Sequence, residues 1–438
     1  MQFDLALPTL VSLAFEKFDA ETIDRSIFLR DARGKISLIL RDDIPEKIRE
    51  EFDDLATERL GAYVDQPSAT PEELFDDALA TNAGAVRELV FYDNGKFAEI
   101  LLLDRQIIGQ DWARPNFVPI NASTPVLTFF SCKGGVGRST ALAIVASDLS
   151  ERGKNVMIVD LDLEAPGIGS ILLGPDDLPE LGVLDYLIES RMDGLSDSDL
   201  ETCLAPSPLT AGRGLIEIMP ALGSRGHANP AEVLPKLGRA YLDRFDEDGN
   251  PISYLSQVRE LIAKLDARGK SDVILVDARA GLSEASAPAV IGLGGDVLLF
   301  GVSTPQTIEC YSYLLSHLAR FAPQQSTPVD DWRLRLRMVH AKAGRTEEDW
   351  RPFRENCYEK GADRLYEEDD LGGTVFNFDI DDPEAPHYPW PIPFDVEYAE
   401  FDPTVRRTIL SREFYDRTFG SFTARIFGLL FPSDTLDE

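Results

Sequence analysis

Leu127-Thr-Phe-Phe130 runs directly into Ser131-Cys-Lys-Gly-Gly-Val-Gly-Arg-Ser-Thr140, and Ala141-Leu-Ala-Ile-Val-Ala-Ser-Asp-Leu149 follows. The first segment is a short apolar run of the buried-strand kind and the last has a helical pattern. Between them stands a turn rich in glycine that ends in two hydroxyl residues. Strand, glycine-rich turn, hydroxyl pair and helix is an arrangement that cradles phosphates. Gly134, Gly135 and Gly137 let backbone N–H groups approach an anion closely, and the helix N-terminus adds its positive dipole end. Ser139 stands where the hydroxyl of such a loop ligates Mg²⁺.

Outward from this loop the same alternation continues. Apolar runs at Val126–Phe130, Val156–Val159, Leu215–Met219, Val273–Val276, Val297–Val302 and Leu334–Val339 are separated by helix-length stretches. That pattern predicts an α/β fold, a mostly parallel sheet flanked by helices. Two of the strands end in carboxylates. Val156-Met-Ile-Val-Asp160-Leu-Asp162 places Asp160 and Asp162 on one side of an extended segment. At the carboxyl edge of a parallel sheet that side faces the ligand crevice. Asp272-Val-Ile-Leu-Val-Asp277 is an apolar strand closed by an aspartate, the arrangement that holds Mg²⁺ through water.

Together these residues resemble the ParA/MinD family of P-loop ATPases, whose deviant Walker A motif reads KGGxGK[ST]. The resemblance spans about residues 125 to 435. It implies ATP and Mg²⁺ as cofactors, with Lys133, Gly134, Gly135, Val136, Gly137, Arg138, Ser139 and Thr140 around the nucleotide. Lys133 matches the lysine that reaches across a dimer interface to the nucleotide of the other subunit, so an ATP-dependent homodimer is implied. By the same match Asp162 positions or polarises the attacking water, Asp160 supports the hydration shell of the metal, and Ser139 and Asp277 hold it. Gly281 resembles the glycine whose N–H senses the γ-phosphate. Three positions depart from the pattern. Arg138 replaces the second lysine of the loop, keeping the charge on a wider, planar fork that suits two phosphate oxygens. Asp277-Ala-Arg-Ala-Gly281 stands where relatives often have Asp-[ST]-Pro-x-Gly, so Arg279 is either a phosphate or interface contact or a salt-bridged surface residue. His340 falls where relatives carry an adenine-contacting asparagine, which leaves the base open. Leu215-Ile-Glu-Ile-Met-Pro220-Ala-Leu-Gly223 and Val302-Ser-Thr-Pro305 are weaker matches in the expected order.

The rest of the chain sets bounds. Its 438 residues suit two or three domains of roughly 150 residues each. Residues 1–122 read as an α+β accessory domain for partner recognition, with hairpins at Asp31–Gly34 and Asp93–Gly95. Asp111–Thr124 reads as a linker, and 123–438 as the ATPase domain. With 76 acidic and 43 basic residues the net charge is -33, which disfavours sequence-independent DNA binding and anionic lipid. The four cysteines show no CxxC and read as separate thiols in a reducing cytoplasm. No run approaches the roughly 18 apolar residues of a membrane span.

Residues 361–403 read as acidic, proline-rich surface loops with a short strand at Thr374–Phe378. The last helix places Tyr415, Phe419, Phe422, Ile426 and Leu430 on one face, expected to pack on the sheet rather than on a membrane. The function these readings imply is a Mg-dependent ATPase acting as a nucleotide-driven dimerisation switch on a protein partner, in partitioning, positioning, regulation or defence. The alternatives are a non-hydrolysing ATP-binding scaffold and a bacterial tyrosine kinase, the latter opposed by the dispersal of Tyr388, Tyr398 and Tyr415. An iron–sulfur reductase lacks its matched cysteine pair.

Overall fold

The computed structural model describes the chain apart from residues 82–83, 94, 107–108, 114–116, 121, 192–196, 210–212, 247–250, 324–330, 368–375 and 435–438. Asn94 of the second hairpin turn, Pro115 of the linker, the acidic residues 368–370, Thr374 and the last four tail residues lie outside the described residues. The chain forms two compact units, Met1–Arg114 and Pro115–Glu438. The division falls earlier than the reading at 122 because the linker runs along the second unit. Arg259 donates to Val118 O at 2.9 Å, and the Thr124 N–H donates to Asp266 at 3.0 Å.

The first unit contains α1 (Phe3–Lys17), β1 (Ile27–Arg30), β2 (Ile36–Ile39), α2 (Glu46–Leu60), β3 (Ser68–Ala69), β4 (Val86–Tyr92) and β5 (Lys96–Asp104). Its five strands lie in the order β3-β2-β1-β5-β4, and both expected hairpins form as antiparallel pairs. The Asp31 carboxylate accepts the N–H groups of Arg33 and Lys35 at 2.9 and 2.8 Å, the local bonding that makes aspartate a turn former. Leu10, Val11 and Ala14 of α1 and Phe52, Ala56 and Leu60 of α2 share one buried cluster with Phe28 and Leu38 of the sheet.

The second unit is built on β6 (Val126–Ser131), α3 (Arg138–Glu151), β7 (Val156–Asp160), β8 (Ala205–Pro206), β9 (Ile216–Met219), α4 (Tyr254–Ala267), β10 (Val273–Asp277), β11 (Asp296–Gly301), α5 (Pro305–Ala319), β12 (Leu336–Ala343), α6 (Glu347–Arg364), β13 (Trp390–Pro393) and α7 (Arg412–Leu430). Eight strands run in the order β13-β12-β11-β6-β10-β7-β9-β8, parallel throughout except that β8 is antiparallel to β9. All six residues of β6 are buried, which accounts for its unbroken apolar run. β10 lies between β6 and β7, so Asp277 pairs in register with Asp160. That order brings the phosphate-loop strand and both acidic strand ends to one edge of the sheet. α5 opens as its sequence suggests, with Thr304 accepting the N–H of Thr307 and proline in the first turn.

Two readings of the C-terminal region need correction. Pro389-Trp-Pro-Ile-Pro393 is not surface loop: Trp390–Pro393 is the edge strand β13, parallel to β12, with Trp390 and Ile392 buried. Proline is tolerated there because an edge strand need not donate every N–H. In the described part of Thr374–Phe378 there is no strand; Phe376 instead lies under the Arg333 guanidinium, 3.9 Å from its ring centroid, and packs on Tyr366 and Phe378. On α7 the five expected residues are buried, and the helix packs beside α3 and β13. Its Tyr415 hydroxyl donates to Asp148 of α3 at 2.9 Å. Among the described residues no helix is long and apolar enough to cross a membrane.

The expectation of four separate thiols also fails. Cys132, in the phosphate loop, is joined to Cys310 of α5 by a disulfide, with Cα atoms 6.2 Å apart, while Cys203 and Cys357 are free and buried. The two partners lie 178 residues apart in sequence and meet because β6 and β11 are neighbours and α5 follows β11.

Candidate functional site

The loop between β6 and α3 takes the shape its glycines allow. Gly135 and Gly137 have φ of 73° and 96°, the left-handed region that other residues avoid. A Cβ added at 134, 135 or 137 would meet nothing within 4 Å, so the backbone stands open to a ligand. Val136 is buried beneath the loop and Lys133 is exposed at its rim.

Below the loop lies an acidic corner. The Ser139 hydroxyl donates to Asp277 Oδ2 at 2.8 Å. The neighbouring strand contributes Asp160, whose Oδ1 accepts the N–H of Asp162 at 3.0 Å. Asp160 and Asp277 are fully buried. Burial, and then the charge of Asp277, pushes the Asp160 carboxyl well above the usual carboxylate range. Burial also pushes Asp277 up, against the pull of Arg138.

Arg138 makes contacts that the sequence reading does not anticipate. Its guanidinium is directed to the carboxylates: Nε lies 2.6 Å from Asp277 Oδ1, and Nη2 donates to Asp162 Oδ2 at 2.9 Å. Burial works against its charge, but Asp277 and Asp162 outweigh that and strengthen its hold on the proton. Sequence could not show this, because the two partners become neighbours only through the strand order.

The donors suit Mg²⁺ in kind. A hydroxyl and a carboxylate in contact at the start of a helix, with a second carboxylate on the adjoining strand, are hard oxygen ligands of the type that holds a hydrated magnesium ion. Among the described residues no group of three or more His, Cys, Asp or Glu is arranged to hold a metal by itself. Gly281, expected at a γ-phosphate, has φ of 93° and its N–H donates to Ser131 O at 2.9 Å. Arg279 pairs with Glu164, the salt-bridged alternative of the two.

A cleft of about 350 Å³ opens beside the loop, between Gly135, Gly137 and Thr140 on one side and Lys342, Phe394 and Tyr398 on the other. Lys342, at φ 54°, donates to Gly135 O at 2.7 Å. Nothing local in the sequence marks Lys342, Phe394 or Tyr398. His340 does not line this cleft. It is buried, hydrogen-bonded through Nε2 to Ser303 at 2.9 Å and stacked on Phe353 at 4.1 Å, and burial lowers its pKa to about 4. Of the three dispersed tyrosines, Tyr415 is fully buried and Tyr388 packs edge-on to Trp350.

A parallel sheet, a glycine loop entering a helix, and a serine touching the aspartate of the adjacent strand define a P-loop NTPase fold. Residues 123–183 match the ParA family, described as NUBPL iron-transfer P-loop NTPase. Its phosphate-loop segment is therefore of the ParA/MinD type. Among curated proteins the chain is similar to the cytosolic Fe-S cluster assembly factor cfd1 of Aspergillus clavatus, 30% identical over 102 residues that make up 23% of this chain. The matched region spans 30% of that relative's length. Among solved structures it is similar to a ParA family ATPase from Chlorobium tepidum TLS, at 16% identity and a TM-score of 0.43, covering 69% of this chain and 99% of the other. It is also similar to the septum site-determining protein MinD complexed with Mg-ADP from Pyrococcus horikoshii OT3, at 20% identity and a TM-score of 0.41, covering 70% and 98%.

Proposed function

We propose that this protein binds ATP with Mg²⁺, hydrolyses it, and uses the cycle as a dimerisation switch that controls a protein partner. The single observation that carries the proposal is the contact between Ser139 and Asp277 beneath an open glycine loop. The N–H groups of residues 134–140 take the phosphates, helped by the N-terminal end of α3. The adjoining cleft between Thr140 and Lys342 takes the nucleoside. Ser139 and Asp277 hold the metal, with Asp160 behind them; magnesium, when bound, offsets charge on the phosphate oxygens. Asp162 orients a water for attack on the γ-phosphorus, giving ADP and phosphate. Lys133, exposed at the rim, reaches the nucleotide of a second copy. The first unit recognises the partner; Leu89, Phe91 and Phe97, exposed by 52, 63 and 64%, are the support for that role.

Comparing solution mass for wild type and Lys133→Ala, with and without ATP and Mg²⁺, tests the switch. A dimer that needs ATP and disappears in the variant supports it; monomers in every sample remove it. A second reading, a scaffold that holds ATP without turnover, is favoured by the ion pair that engages Asp162. Phosphate release separates the two, since equal slow rates in wild type and Asp162→Ala would leave the scaffold. The curated relative's name refers to iron–sulfur cluster assembly. A cluster needs accessible thiolates, and the four cysteines here are one joined pair and two buried singles.

A further inference from the structure

We propose that Arg138 is a built-in cation for the acidic corner, neutralising through Oδ1 the same Asp277 carboxylate by which a divalent ion would be held at Oδ2 and Ser139. Both oxygens of Asp277 are engaged, Oδ2 by the Ser139 hydroxyl at 2.8 Å and Oδ1 by Arg138 Nε at 2.6 Å. The same guanidinium reaches the other acidic strand end through Nη2 and Asp162, at 2.9 Å. Arg138 is 8% exposed, so the charges meet largely out of water. A lysine is a single point charge and cannot bridge two carboxylates in this planar, two-armed way. Arginine at this position therefore reaches both acidic strand ends at once. Buried Nη1 has no hydrogen-bond partner, which leaves its two N–H donors for an arriving oxyanion.

Two cations brought to one buried carboxylate repel each other, so a guanidinium on Oδ1 of Asp277 opposes a divalent ion at Oδ2 and Ser139. For the nucleotide site proposed above, on which this consequence rests, metal is admitted only after the phosphates have drawn Arg138 off the carboxylates. Asp162 is released in the same movement, so Arg138 holds the corner inactive until phosphate arrives.

The test uses the full-length chain without nucleotide and Mn²⁺ as the probe, followed by electron paramagnetic resonance. Wild type and Asp277→Asn should give the same titration, because the acidic surface is common to both. Arg138→Gln should gain one Mn²⁺ per chain, bound at least tenfold more tightly than that background and lost again in Arg138→Gln/Asp277→Asn. A Mn²⁺ ion in wild type that Asp277→Asn removes would overturn the proposal, as would a folded Arg138→Gln protein that gains none. Should circular dichroism show that Arg138→Gln does not fold, the uncharged Arg138→Met takes its place with the same two outcomes. No nucleotide enters the experiment, so a failure to bind ATP would sink the switch and leave this result standing.

Discussion

Arg138→Gln isolates the electrostatics of the acidic corner. The substitution keeps a polar side chain of similar length and removes a charge that touches carboxylates on two strands. Breaking a buried pair by deleting one partner typically costs about 3–5 kcal/mol, because the other charge is left uncompensated. The upper end applies here, since Asp277 is fully buried and Asp160 stands beside it. The loss must depend on pH. Asp160 and Asp277 already hold their protons more tightly folded than unfolded, so each costs stability as pH rises through its folded pKa. Without Arg138 the upward shift of Asp277 grows. The variant's deficit should then be larger at pH 7.5 than at pH 5, because falling pH favours the protonated, uncharged form of carboxyls whose pKa burial has raised. Urea unfolding of wild type and variant at the two pH values, followed by circular dichroism, reads the difference. A deficit below about 1 kcal/mol, or one equal at both pH values, would refute the claim that this guanidinium neutralises the corner; surface ion pairs are worth that little.

Ser139→Ala removes the hydroxyl in contact with Asp277 and should weaken nucleotide binding in the presence of Mg²⁺ by about tenfold, one hydrogen bond to a charged group, as measured by calorimetry. Gly135→Ala forces a side chain into φ 73° and should lower stability by about 1–2 kcal/mol in urea titrations, with weaker nucleotide binding. Phe422→Ala on α7 opens a cavity against Phe300 and Trp390 and should cost about 3–5 kcal/mol; a loss under 1 kcal/mol would mean the helix does not pack as described. The His340 ring should titrate near pH 4 by NMR, so acidification from pH 6.5 toward 4 removes stability through this residue, and a value near 6.5 would place the ring in water. A digest prepared without reductant, after thiol blocking, should contain a linked peptide pairing Cys132 with Cys310 in the mass spectrum.

Features encoded by short-range chemistry were legible from the residues alone. The glycine spacing at 134–137 requires the left-handed backbone found there, and the apolar runs become the central strands of the sheet. The Asp31 turn and the Thr304 cap are written within four residues of themselves. The remaining features depend on how distant segments pack together. Insertion of β10 between β6 and β7 puts Asp277 and Asp162 within reach of Arg138, turning a cation read as a phosphate ligand toward carboxylates. The same strand order brings Cys310 to Cys132, and it admits a proline-rich segment as an edge strand and places Lys342 beside Gly135. Periodicity fixes which face of an element is buried, whereas the choice of neighbour depends on how distant elements are ordered, and no local pattern carries that information.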